Sequence, residues 1–64
     1  MSKNDQRLSG VKEISSYSER PWEVIHQWVR EKKFPARKID GRWESFKGMI
    51  DKWFEDQIRG VISQ

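Results

Sequence analysis

The chain contains no cysteine. That excludes a disulfide framework, a thiolate metal site and a cysteine nucleophile, and it leaves apolar burial as the means of holding the chain together. It has no long hydrophobic run either, so neither a secretory signal nor a membrane span is expected, and the polar stretch Met1 to Arg7 reads as a leader of a cytoplasmic protein. Proline occurs twice and glycine four times, too sparsely for a linker or a low-complexity segment. No Gly-rich phosphate loop is present, and Ser15 and Ser16 have no histidine near in sequence to activate them. The one histidine, His26, stands one helical turn from Glu23, and two ligands do not make a metal site. Neither an enzyme nor a cofactor protein is expected.

What the chain does have is aromatics and basic charge. Four tryptophans, three phenylalanines and a tyrosine serve a chain of 64 residues with net charge +3. So short a chain makes one domain and hides only about 60% of the surface its unfolded form exposes, so large side chains must supply the core. The charge is unevenly spread: Lys32, Lys33, Arg37, Lys38 and Arg42 face Asp40 alone. A cluster of this kind favours a polyanion, while its bland counterpart is a solvated surface hairpin.

Helical spacing marks three segments. Ser9-Gly10 offers a start for a short first helix carrying Val11, Ile14 and Tyr17. A second runs from Pro21 to Lys33, capped by Ser18 or Arg20, with Pro21 at its first position and Glu23 near the positive end of its dipole. Trp22, Ile25, Trp28 and Val29 form its apolar face, and Glu23, His26, Gln27, Arg30 and Lys33 its polar one. Phe34-Pro35 ends it. A third helix, capped by Ser45, presents Phe46, Ile50, Trp53, Phe54 and Ile58 on one face and stops at Gly60. Its carboxylates Asp51, Glu55 and Asp56 read as members of i, i+4 pairs on a solvated face, Asp51 with Glu55 and Lys52 with Asp56. Between the second and third helices, Asp40-Gly41 is a favoured type I′ turn. With these as the two loop residues, Lys38 pairs with Trp43 and Arg37 with Glu44, the latter able to form an ion pair; a four-residue loop from Ile39 to Arg42 is the alternative. The expected fold is α+β, a small winged helix-turn-helix in the order helix-helix-β-hairpin-helix. It occupies residues 9–60, after a flexible polar leader at 1–8 and before a short tail at 61–64.

The residues themselves resemble a known family. Ile14 and Tyr17, Arg20-Pro21-Trp22-Glu23-Val24-Ile25 leading to Trp28-Val29, the run from Phe34-Pro35 through Asp40-Gly41-Arg42-Trp43-Glu44-Ser45, and Ile50-Asp51-Lys52-Trp53 together resemble the phage and integrative-element excisionases. More broadly they resemble the MerR-like winged helix-turn-helix domains. The resemblance covers Val11 to Phe54. It implies that the second helix enters the major groove and the hairpin wing lies along the backbone and the adjacent minor groove. Positions matching the family's DNA contacts are Glu23, Val24, Gln27 and Arg30 in the helix and Lys38 to Arg42 in the wing. Val24 stands where threonine is frequent, which leaves an apolar contact such as one to a thymine methyl, and Gln27 stands where arginine is common, which favours adenine over guanine. His26 and Lys33 join the helix set by their polar-face positions, and Arg20 and Arg37 join the backbone set. Five such phosphate contacts imply a log-log salt slope of about −4 to −5 per monomer.

The resemblance implies a non-catalytic protein that binds and bends double-stranded attachment-site DNA in a bacterial host cell. Such a protein helps an integrase excise a mobile element and binds cooperatively beside copies of itself. Two other readings stand beside it: a phage or mobile-element transcription regulator with the same fold, and a protein-interaction or packaging module that uses the basic edge. RNA binding is a minor fourth.

Overall fold

In the computed structural model, which describes residues 6–60, the element order is β1 (Arg7–Ser9), α1 (Val11–Ser18), α2 (Trp22–Glu31), β2 (Arg37–Ile39), β3 (Arg42–Phe46) and α3 (Lys47–Arg59). Three helices pack on a three-stranded antiparallel sheet of order β1-β3-β2. The α+β winged helix-turn-helix arrangement is the one expected from the pattern of the chain. No helix among the described residues is long and apolar enough to cross a membrane.

The first strand departs from expectation. Arg7 and Leu8, assigned to a flexible leader, and Ser9, assigned to the start of the first helix, pair with β3 in the register Arg7 to Phe46, Leu8 to Ser45 and Ser9 to Glu44. Leu8 supplies the reason, since it is buried in the core beside Ile14, Ile25, Phe34 and Ile50. One apolar residue between two polar ones is too short a period to register as a strand, yet it suffices when a neighbour offers a free edge. Residues 1–5 of the leader and the tail, residues 61–64, lie outside the described residues.

Helix α1 starts from Gly10, whose φ of 94° is left-handed and whose amide donates to the Trp43 carbonyl at 2.7 Å. Glu13 reaches back to accept from the Ser9 amide at 2.9 Å, satisfying one of the donors that precede the helix. Glu19, with φ of 58°, ends the helix, and its amide and that of Arg20 bond to the Ser16 and Ser15 carbonyls. The three-residue connection Glu19-Arg20-Pro21 then places α2 against α1. Pro21 is the cap residue itself, one position earlier than its expected place inside the helix, and neither Ser18 nor Arg20 caps. Ser18 is instead buried against the core.

Helix α2 stops at Glu31, two residues short of the expected Lys33. The Lys32 and Phe34 amides both bond to the Trp28 carbonyl, at 2.7 and 3.2 Å, and Lys33 between them takes a left-handed φ of 59°. This reversal turns Phe34 inward, where it is 3% exposed. The hairpin has the two-residue loop, with Asp40 and Gly41 at φ of 53° and 80° and the register Arg37 to Glu44, Lys38 to Trp43 and Ile39 to Arg42. Two consecutive positive φ values are what a type I′ turn requires. The four-residue loop is therefore excluded.

The third helix also starts later than its periodicity suggested. Ser45 and Phe46 belong to β3, and the Ser45 hydroxyl donates to the Pro35 carbonyl and leaves the helix uncapped by any side chain. Phe46 consequently faces away from the core, and Ile58 near the far end is 84% exposed. Ile50 remains fully buried, and Trp53 and Phe54 pack with Trp28 and Phe34 in one aromatic cluster whose ring centroids lie 5.0 to 6.4 Å apart. Most of these contacts are edge-on or tilted, the arrangement ring quadrupoles favour. The Trp53 indole also donates to the Lys32 carbonyl at 3.0 Å, closing the end of α2.

Candidate nucleic-acid interface

On α2 the positions of Ile25, Trp28, Val29 and Trp22 turn toward the core, so the opposite stripe, Glu23, Gln27 and Arg30 at i, i+4 and i+7, is exposed. Gln27 donates to Glu31 at 3.3 Å along that stripe. Val24 is half-buried on one flank of the stripe, and His26 is exposed on the other.

His26 marks where the helix meets the wing. Its ring stacks on Trp22 at 5.9 Å and meets Trp43 of β3 edge-on at 5.8 Å, while Trp22 and Trp43 contact each other edge-on at 5.2 Å. Three rings from two elements thus lock α2 beside the hairpin. Trp22 and Trp43 are half-buried, so they serve as this brace and not as exposed stacking platforms.

Strand alternation divides the basic residues of the wing. Lys38 is opposite Trp43, so both side chains project from the face that adjoins α2. Arg37, Ile39, Arg42 and Glu44 project from the other face, joined there by Arg7, Ser9 and Phe46. Contacts agree: Arg42 Nη1 reaches Ser9 Oγ at 3.5 Å, and Ser9 Oγ donates to Glu44 Oε2 at 3.3 Å. Arg37, Lys38 and Arg42, grouped as one set by sequence, therefore lie on two sides of the hairpin. The expected ion pair of Arg37 with Glu44 does not form; Arg7 from β1 takes that place, with Nε 3.8 Å from Glu44 Oε1. At that distance it is a coulombic contact without a hydrogen bond, and Glu44 Oε1 is buried without one.

Of the residues expected at a DNA surface, Arg20, Glu23, His26, Gln27, Arg30, Lys33, Arg37, Lys38 and Arg42 are all exposed. Glu23, Gln27 and Arg30 line the exposed stripe of α2, His26 meets the wing at Trp43, and Lys38 lies opposite Trp43 on the hairpin. Arg20 sits at the entry to α2, its guanidinium donating to the Glu19 carbonyl at 2.9 Å, and Lys33 lies past the helix end in the left-handed turn. Arg7 was missed, because only the pairing of β1 with β3 brings it to the wing. Asp51 accepts from the Tyr17 hydroxyl and, as a like charge, makes no pair with Glu55, which pairs with Arg59 at 2.8 Å, whereas Lys52 pairs with Asp56 at 3.3 Å as expected. Among the described residues no group of three or more histidine, cysteine, aspartate or glutamate side chains is placed to hold a metal ion.

Comparison of the chain with protein-family models, with curated proteins and with solved structures finds no match in any of the three.

Proposed function

We propose that this chain is a non-catalytic protein that binds double-stranded DNA in the cytoplasm, and specifically an excisionase that binds and bends attachment-site DNA to assist an integrase. The observation that carries the reading is the Trp22-His26-Trp43 brace, which holds the wing beside the free stripe of α2 so that both can meet one duplex. Glu23 and Gln27 would reach base edges and Val24 a thymine methyl, with His26 at the junction. Arg20, Arg30, Lys33 and Lys38 would meet phosphates. With Arg37 and Arg42 turned to the opposite face, the phosphate-contacting cations reduce to Arg20, Arg30, Lys33 and Lys38, and the salt slope falls to about −3.6.

One module of this size buries only about 600 to 1,000 Å² of protein surface on DNA, so neighbouring copies or a partner protein would raise the affinity. Bending would cost about 1 to 6 kcal/mol, offset by added contacts. The test is fluorescence anisotropy on labelled attachment-site duplex across a salt series, with a circular-permutation bending assay. Salt-steep, cooperative binding with a bend is expected. Binding that ignores salt, or an unbent duplex without cooperativity, would sink the excisionase reading; a footprint over a promoter with unchanged recombination would replace it with transcription regulation.

A further inference from the structure

The face of the sheet turned away from α2 remains uncovered by any described element, and its composition is unusual for a solvated surface. Ile39, Phe46 and Met49 are 55%, 40% and 54% exposed, and they account for three of the five large apolar side chains exposed among the described residues. They gather around one trough. A groove of about 320 Å³ runs over Pro35, Ala36, Ile39, Phe46 and Met49 with Arg37 on its wall. A second, of about 570 Å³, continues from the shared residues Pro35, Phe46 and Met49 along α3 to Trp53.

The sheet end of this trough is flanked by cations, while at its α3 end Lys52 and Asp56 neutralise each other. Arg7, Arg37 and Arg42 share the face with Glu44 alone, and Glu44 is already engaged by Arg7 and Ser9. Arg37 and Arg42 have no carboxylate partner among the described residues. A duplex would satisfy the arginines but offers nothing to cover Phe46 and Met49, whose burial needs an apolar partner. A second copy would supply Ile58 as its most exposed apolar residue, but the charged pair beside it, Glu55 and Arg59, is already internally neutralised. The chemistry that fits both parts is a polypeptide segment with apolar side chains flanked by carboxylates.

We propose that the outer sheet face, from Arg37 and Ile39 across Phe46 to Met49, is a docking site for an acidic amphipathic segment of another protein. Because Lys38 and α2 lie on the other side, the site is independent of DNA binding and can be occupied with a duplex in place.

The probe is a displayed library of short random peptides selected against the full chain, followed by anisotropy and amide-shift mapping with the selected sequences. Peptides combining Leu, Phe or Met with Asp or Glu are expected, with shifts confined to residues 35–39 and 44–53. Met49→Ser and Ile39→Ser should each weaken them by about tenfold or more, and so should Arg37→Glu or a peptide with its carboxylates amidated. Unchanged melting of the three variants keeps the result free of unfolding. The proposal is overturned by a library that yields no binder, by acidic peptides that bind equally well without apolar residues, or by variants that retain full binding. It is equally overturned by duplex DNA displacing the peptide, or by the free chain self-associating through these same residues.

Discussion

The Tyr17 hydroxyl donates to Asp51 Oδ1 at 2.6 Å, tying the end of α1 to the first turns of α3 across thirty-four positions of chain. The same ring lies 5.4 Å beneath the Lys47 ammonium. No backbone hydrogen bond joins these two helices among the described residues, so side chains alone tie α1 to α3. Tyr17→Phe removes the bond and keeps the ring, and it should lower stability by about 0.5 to 1.5 kcal/mol, read as the midpoint of urea unfolding.

The bond also sets a pH dependence. Its acceptance by Asp51, with burial and the Asp51 charge adding in the same sense, holds the Tyr17 hydroxyl above its ordinary value of 10.0. A raised value means that the folded state keeps its proton where the unfolded state has lost it. The stabilisation is therefore complete below about pH 10 and is lost as pH rises through the folded value. Denaturation midpoints should fall above pH 10 in the natural chain, and the part of that fall due to Tyr17 should vanish in Tyr17→Phe. An identical alkaline slope in both proteins would remove Tyr17 from the account.

Ser45 joins the hairpin to the Phe34-Pro35 corner through its hydroxyl and is itself buried. Ser45→Ala leaves the Pro35 carbonyl short of a donor, at a cost of about 1 to 3 kcal/mol. Ser45→Thr, which keeps the hydroxyl, should recover part of the loss in thermal melts.

Trp28 touches Phe34, Trp53 and Phe54, so truncating it opens the aromatic cluster from within. Trp28→Ala should cost about 3 to 5 kcal/mol, a large share of the about 5 to 15 kcal/mol typical of a domain. Circular dichroism is expected to show a chain unfolded or melting near room temperature. Trp53→Phe, which keeps a ring but loses the bond to the Lys32 carbonyl, should remain folded.

For the proposed DNA interface, the division of the wing predicts unequal effects from neighbouring residues. Lys38→Ala and Arg30→Ala should each flatten the salt slope by about 0.9. Arg37→Ala, on the opposite face, should change it little. Equal effects of Lys38→Ala and Arg37→Ala would mean that the hairpin presents both faces to the duplex.

Much of this architecture is legible from local pattern, because local interactions decide it. Asp40-Gly41 permits two positive φ values, and that turn sets every pairing between β2 and β3. The apolar spacing of Trp22, Ile25, Trp28 and Val29 likewise determines which stripe of α2 is left exposed, and so which residues of the candidate site lie together. Ile58 and Phe46 share that kind of spacing with Ile50 yet stay exposed, because periodicity states what an element can bury and not whether a neighbour is there to cover it.

The amino-acid sequence by itself determined the three helices, the wing and its register, and the exposed stripe of α2, since each follows from residues close along the chain. Tertiary structure alone decided the third strand and the exchange of Arg37 for Arg7 beside Glu44. Those depend on Leu8 meeting Ser45 across most of the chain, and a contact between distant segments leaves no period in either of them.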